Sequence, residues 1–140
     1  MIRVPDSLVS AMKEHARRTY NEECCGVLFG RSEDASKWVE AVEPLSNARD
    51  GERHRRFVIT AADYRRAEAE ADTQGMELLG FYHSHPDHPA RPSAYDLEHA
   101  WPSFSYVIIS VHEGDAVDVR SYVLKEDRST FLEEALVSGG

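Results

Sequence analysis

The run Met76-Glu77-Leu78-Leu79-Gly80-Phe81-Tyr82-His83-Ser84-His85-Pro86 reads as an apolar strand that delivers two imidazoles to its far end. Gln74-Gly75 stops the helix before it, so the strand starts from a turn. Side chains two apart on a strand share a face, which brings His83 and His85 together and turns Ser84 away. Pro86 has no N–H for a sheet ladder, so the strand is expected to stop there and leave the pair at a sheet edge. Seven residues separate His85 from Ser93-Ala94-Tyr95-Asp96, and ten separate it from Asp96 itself, enough chain for that carboxylate to swing back. Two imidazoles and one carboxylate are a ligand set that holds a catalytic zinc and keeps a fourth position for water.

Outward from this stretch, strands and helices alternate. Asp6 is placed to N-cap a first helix in which Leu8, Val9, Met12 and Ala16 recur at helical spacing, fading around Arg18 to Asn21. Cys25 to Gly30 and Lys37 to Leu45 read as strands, Ser46 to Arg56 as a loop, and Arg56 to Ile59 as a strand ending at Thr60. Thr60-Ala61-Ala62-Asp63 has the capping-box pattern and opens a helix to about Thr73. Ser93 to Ala100 is a brief helix, and Tyr106 to Val111 is the most apolar strand. Glu113-Gly114-Asp115 turns into Val117 to Leu124, and Phe131 to Val137 fits either a last strand or a short helix. The fold class is α/β: one domain over residues 1–137, a mixed β-sheet flanked by helices, with 138–140 as a flexible tail.

Composition narrows the function classes. A chain of 140 residues has room for one core, and its net charge of -9 argues against nucleic acid as a partner. No apolar run reaches the length of a membrane span and no signal-peptide core opens the sequence, which makes the cytoplasm the default location. Cys24 and Cys25 are the only cysteines; as neighbours they are poorly placed to bridge each other, and both are expected reduced and packed.

Each piece of the metal constellation has a plain alternative. With seven histidines, one His-x-His pair is unremarkable, and Ser93-x-x-Asp96 is also a helix capping box. The same three ligands suit Fe(II) in a facial-triad oxygenase. It is the conjunction that carries weight: His-x-His-Pro, a proline-rich loop, then Ser-x-x-Asp.

These residues resemble the signature of the JAMM (MPN-plus) metalloprotease family: a distant glutamate, then His-Ser/Thr-His, seven residues, Ser, two residues, Asp. Glu23-Cys24-Cys25-Gly26-Val27-Leu28 is similar to the segment that carries the family's glutamate, and counting back from Gly26 selects Glu23 over its neighbour Glu22. The resemblance implies a cytidine-deaminase-like JAMM/MPN fold of the small bacterial branch, with one zinc per chain on His83, His85 and Asp96. It also implies catalysis by Glu23 as proton carrier and Ser93 as oxyanion donor, rather than a serine nucleophile. The implied reaction is hydrolysis of a peptide or isopeptide bond at the Gly-Gly tail of a ubiquitin-like sulfur-carrier protein. Only nine residues separate Asp96 from Tyr106, too few for the long insertions of deubiquitinating relatives. A non-catalytic scaffold of the same fold is the main alternative, and the complete ligand set counts against it. A DNA-repair-associated branch has a similar motif, but the acidic charge counts against that. Of the other histidines, His99 is a candidate to orient a ligand, His88 lies in the motif loop, and His15, His54 and His112 read as surface or packing residues.

Overall fold

A computed structural model describes residues 1–45 and 59–139. The elements are β1 (Ile2–Val4), α1 (Asp6–Thr19), β2 (Cys25–Glu33), β3 (Ser36–Leu45), α2 (Ala61–Thr73), β4 (Glu77–Pro86), α3 (Ala94–His99), β5 (Ser105–His112), β6 (Asp115–Leu124), β7 (Phe131–Glu134) and β8 (Leu136–Ser138). The expected loop at 46–56 and most of the expected strand at 56–59 fall outside the described residues; Ile59 and Thr60 themselves are not in a strand.

The strands form one mixed sheet in the order β7-β6-β5-β4-β2-β3-β1-β8. Alternation of side chains builds a core on each face. Leu28, Tyr82, Val107, Ile109 and Val111 pack beneath Met12 and Ala16 of α1, and Val27, Phe29, Phe81 and Tyr106 pack against Tyr64, Ala67 and Ala71 of α2. Tyr82 therefore lies on the face opposite the histidines, as its alternation with them requires. Its ring lies over Gly26, where a Cβ would sit 2.0 Å from the ring, which explains a glycine inside a central strand. The Tyr82 hydroxyl hydrogen-bonds His15 Nδ1 at 2.7 Å, so this histidine is tied into the packing under α1.

Several expectations need correction. Asp6 is the first helical residue of α1; Pro5 is the N-cap, in extended geometry, and its carbonyl takes the first N–H groups. β4 is an interior strand between β2 and β5, so the histidines sit at a strand end and not at a sheet edge. Pro86 is tolerated because it is the last residue of the strand. Phe131 to Val137 is two strands, not one: β7 pairs with β6 and β8 pairs with β1, at opposite ends of the strand order, with only Ala135 between. The sheet thus curls until its two margins meet, and Ala135 accepts a hydrogen bond from Ile2 N–H at 2.9 Å. Ser138, assigned to the tail, ends β8 opposite Val4.

Two irregularities matter for the site. Leu28 faces Gly80 and Phe29 faces Leu78, so Leu79 is the extra residue of a bulge. Leu79 packs with the α1 core and Phe81 with the α2 core, so the bulge resets the alternation and sends His83 and His85 to the α2 face. Second, β4 and β5 are parallel, with Gly80 opposite Ser105 and Pro86 opposite Val111. The chain leaving β4 beside His85 must therefore run back along that strand before β5 begins. That return carries α3, and with it Asp96, past the two histidines.

Candidate metal centre

His83 Nε2 and His85 Nε2 lie 3.1 Å apart; Asp96 Oδ2 is 3.2 Å from the second and Asp96 Oδ1 is 3.4 Å from the first. A tetrahedral zinc with bonds of about 2.0–2.2 Å separates its ligand atoms by about 3.3–3.6 Å, so the Asp96–His83 spacing matches and the two involving His85 Nε2 would open by a few tenths of an ångström around an ion. His85 Nδ1 faces the Pro89 carbonyl at 3.1 Å, which can only accept, so that nitrogen is the donor there and Nε2 is the one turned toward His83 and Asp96. His85 is buried and His83 and Asp96 nearly so.

Asp96 does two jobs at once. Ser93 Oγ accepts from Asp96 N–H at 3.0 Å, and Asp96 Oδ2 accepts from Ser93 N–H at 2.8 Å, closing the capping box of α3. The capping box of Ser93-x-x-Asp96 is present, and it does not compete with the ligand reading, because it leaves Asp96 beside both histidines. Burial alone would raise the Asp96 carboxyl. The His83 imidazole, hydrogen bonds from both histidines and the Ser93 N–H outweigh it and hold the group well below the usual carboxylate range.

Glu23 lies two residues before β2, with Cys24 between, and is partly buried. A two-point clamp holds the adjoining backbone to the metal strand. Cys24 N–H donates to Ser84 Oγ at 2.8 Å, and Ser84 N–H donates to the Cys24 carbonyl at 3.1 Å. Ser84 does point away from the histidines, but sequence reasoning missed what it does there; the signal was a polar residue in a run of fully buried ones. Glu23 lines a groove of about 1270 Å³, open to solvent, together with His85, His88, Arg91, Ser93 and Asp96. On the other side of Asp96 lies a smaller apolar pocket of about 490 Å³, walled by Cys25, Tyr64, Tyr95, Tyr106, Ile108 and Phe131 among others. His83 belongs to that wall. The centre therefore sits where a polar groove meets an apolar pocket.

Residues 5–125 match the family of prokaryotic homologs of the JAB domain. The chain belongs to that family. This JAB domain is 35% identical over 106 residues to a desampylase from Haloferax volcanii, covering 75% of this chain and 74% of the relative. It is 35% identical over 120 residues to the CysO-cysteine peptidase of Mycobacterium tuberculosis, covering 82% and 77%. A solution structure of a protein from Desulfitobacterium hafniense matches at a TM-score of 0.84 and 35% identity, over 99% of this chain and 92% of the other.

The remaining candidates of this JAB domain fall away from the centre. His99 hydrogen-bonds the Tyr95 carbonyl at 2.9 Å and packs on the Tyr95 ring, so it shapes the pocket wall and orients no ligand. His88 is exposed on the groove, and its carbonyl accepts from Ser110. Cys24 and Cys25 are free and buried, and burial pushes both thiols up, Cys25 strongly, which keeps them un-ionised. Among the described residues no helix is long and apolar enough to cross a membrane.

Proposed function

We propose that this JAB domain is a zinc-dependent peptidase that hydrolyses the bond following the Gly-Gly tail of a ubiquitin-like sulfur-carrier protein. The observation that carries the reading is the convergence of His83, His85 and Asp96, with His85 and Asp96 lining the groove that Glu23 and Ser93 also line. Kinship with a CysO-cysteine peptidase supports the reaction class.

His83, His85 and Asp96 would hold one zinc, which would supply the Lewis acidity that makes water a nucleophile near neutral pH. Glu23 takes the proton that the attacking water loses. The water oxygen bonds to the carbonyl carbon, the C–N bond breaks, and Glu23 returns the proton to the departing amine. Ser93 spends one acceptor pair on capping Asp96 N–H, so its O–H is free to donate to the carbonyl oxygen as charge builds there. Ser84 acts through the backbone, holding the segment that presents Glu23.

The test is to incubate zinc-loaded protein with a Gly-Gly-tailed carrier extended by one residue. Release of that residue, abolished in Glu23→Gln, is the expected result. No release beyond the Glu23→Gln control would refute the reading.

A further inference from the structure

The loop from Asp87 to Pro92 has no regular secondary structure, yet its backbone is held at successive positions. Asp87 N–H donates to the Val111 carbonyl at 2.6 Å, and Ser110 Oγ donates to the His88 carbonyl at 2.6 Å. His85 Nδ1 donates to the Pro89 carbonyl at 3.1 Å, and Tyr122 O–H donates to the Ala90 carbonyl at 2.7 Å. Tyr20 O–H and Glu113 N–H donate to the Asp87 carboxylate at 2.7 and 2.8 Å. The next residue is Arg91, fixed between this scaffold and Pro92.

Arg91 lines the groove that holds Glu23, His85, Ser93 and Asp96. Arg31, Arg66 and Arg120 each pair with a carboxylate; Arg91, like Arg3, Arg18, Arg65 and Arg128, makes no ion pair among the described residues, and of these five only Arg91 lines the groove. In a chain of net charge -9, a guanidinium with no ion pair among the described residues, carried on a well-anchored loop that lines the same groove as Glu23 and Ser93, is suited to an anion brought by the substrate.

The side of the bond it serves follows from the proposed mechanism, on which this inference rests. Glu23 protonates the departing amine, so the departing group lies in the groove that Glu23 and Arg91 share. If that group is a free amino acid, its carboxylate lies within about 4 Å of the amine nitrogen. An amine on a lysine side chain of a conjugated protein brings no such carboxylate. We propose that Arg91 binds the free α-carboxylate of the leaving residue, so that this enzyme trims a terminal residue from the carrier in preference to cutting isopeptide conjugates.

Two carriers decide it, identical except that one ends Gly-Gly-Ala as the free acid and the other as the amide. Wild-type protein is expected to favour the acid in kcat/KM by about 10- to 100-fold, the range of a charge-assisted hydrogen-bonded pair. In Arg91→Ala that ratio should fall toward 1 through loss on the acid, and Arg91→Lys should restore part of it. A ratio unchanged by Arg91→Ala, or no acid preference in the wild type, overturns the proposal. The Kd values of both carriers for zinc-loaded Glu23→Gln protein, with and without Arg91→Ala, decide the same question without turnover. Cleavage of neither carrier would sink the hydrolase reading, yet the binding ratio would still decide Arg91: a preference lost in Arg91→Ala supports it, and equal or absent binding overturns it.

Discussion

Two capping boxes of the same design sit at the starts of α2 and α3, and only one brings its carboxylate into a cluster able to hold a metal ion. At α2, Asp63 Oδ2 accepts from Thr60 N–H at 2.8 Å while Asp63 Oδ1 meets the exposed side chain of Arg66. At α3, Asp96 Oδ2 accepts from Ser93 N–H at 2.8 Å while Oδ1 faces His83. In each box one carboxylate oxygen is committed to the helix start, and the surroundings of the carboxylate set its further use. At α2 the neighbour is a solvent-facing cation that stabilises little. At α3 the neighbours are two imidazoles aimed by β4. The helices differ accordingly: α2 runs thirteen residues and buries Tyr64, Ala67 and Ala71, while α3 runs six and buries none fully. Apart from Leu97, which packs partly buried against the α2-side core, what α3 contributes is the carboxylate its first turn presents.

The sharpest way to break this comparison is Asp96→Asn against Asp63→Asn. Asparagine can still cap, so both proteins should fold. Zinc affinity should drop by about a hundredfold or more in Asp96→Asn, beyond the loss typical of outer-shell changes. Metal content after dialysis at fixed free zinc should be unaltered in Asp63→Asn, and equal loss in both would erase the distinction. Next in size, Ser93→Ala should lower kcat by about a hundredfold, the scale of a lost oxyanion donor. A rate within twofold of wild type would remove Ser93 from the chemistry and leave it a cap.

Ser84→Ala should produce a smaller, mixed effect. It strands the buried Cys24 N–H, costing about 1–3 kcal/mol of stability, and should lower kcat several-fold while zinc content holds. Denaturant titration alongside steady-state kinetics separates the two parts; a stability loss with normal kcat would make the clamp purely structural. Smallest of all, Thr60→Ala should cost about 1 kcal/mol in unfolding free energy and leave kcat and metal content alone. An activity loss there would mean that α2 communicates with the centre.

The parts of the site legible in the sequence are those with a short range. Strand alternation pairs His83 with His85, and the four-residue box places Asp96 relative to Ser93. Glu23 came from resemblance alone, since no local pattern links it to a strand about sixty residues later; the Ser84–Cys24 clamp that joins the two is a tertiary contact. Position within the sheet was illegible for a similar reason. Pro86 correctly marks the end of β4, but nothing local says that β2 and β5 flank it on both sides. The Leu79 bulge, which chooses the face for the histidines, depends on pairing with β2 and leaves no mark in the hydrophobic pattern. Asp6 misled by one residue because an aspartate after a proline satisfies the N-cap preference, while Pro5 already had the extended backbone that position needs. Arg91 went unremarked among prolines, although a lone cation in the motif loop was there to be read.

The eight residues from Phe131 to Ser138, ambiguous as sequence, also bear on how the molecule behaves in company. A sheet with an exposed margin offers a neighbour a row of unmet N–H and C=O groups to copy. Here the last segment covers part of both margins: β7 lies on β6 for four residues, then β8 lies on β1 for three. The new outer edges that β7 and β8 themselves present are short, four and three residues, and are broken at Ala135. Resistance to edge-to-edge pairing along these stretches, a property unrelated to the chemistry of the centre, is thereby supplied by a segment that contributes none of the three candidate ligands.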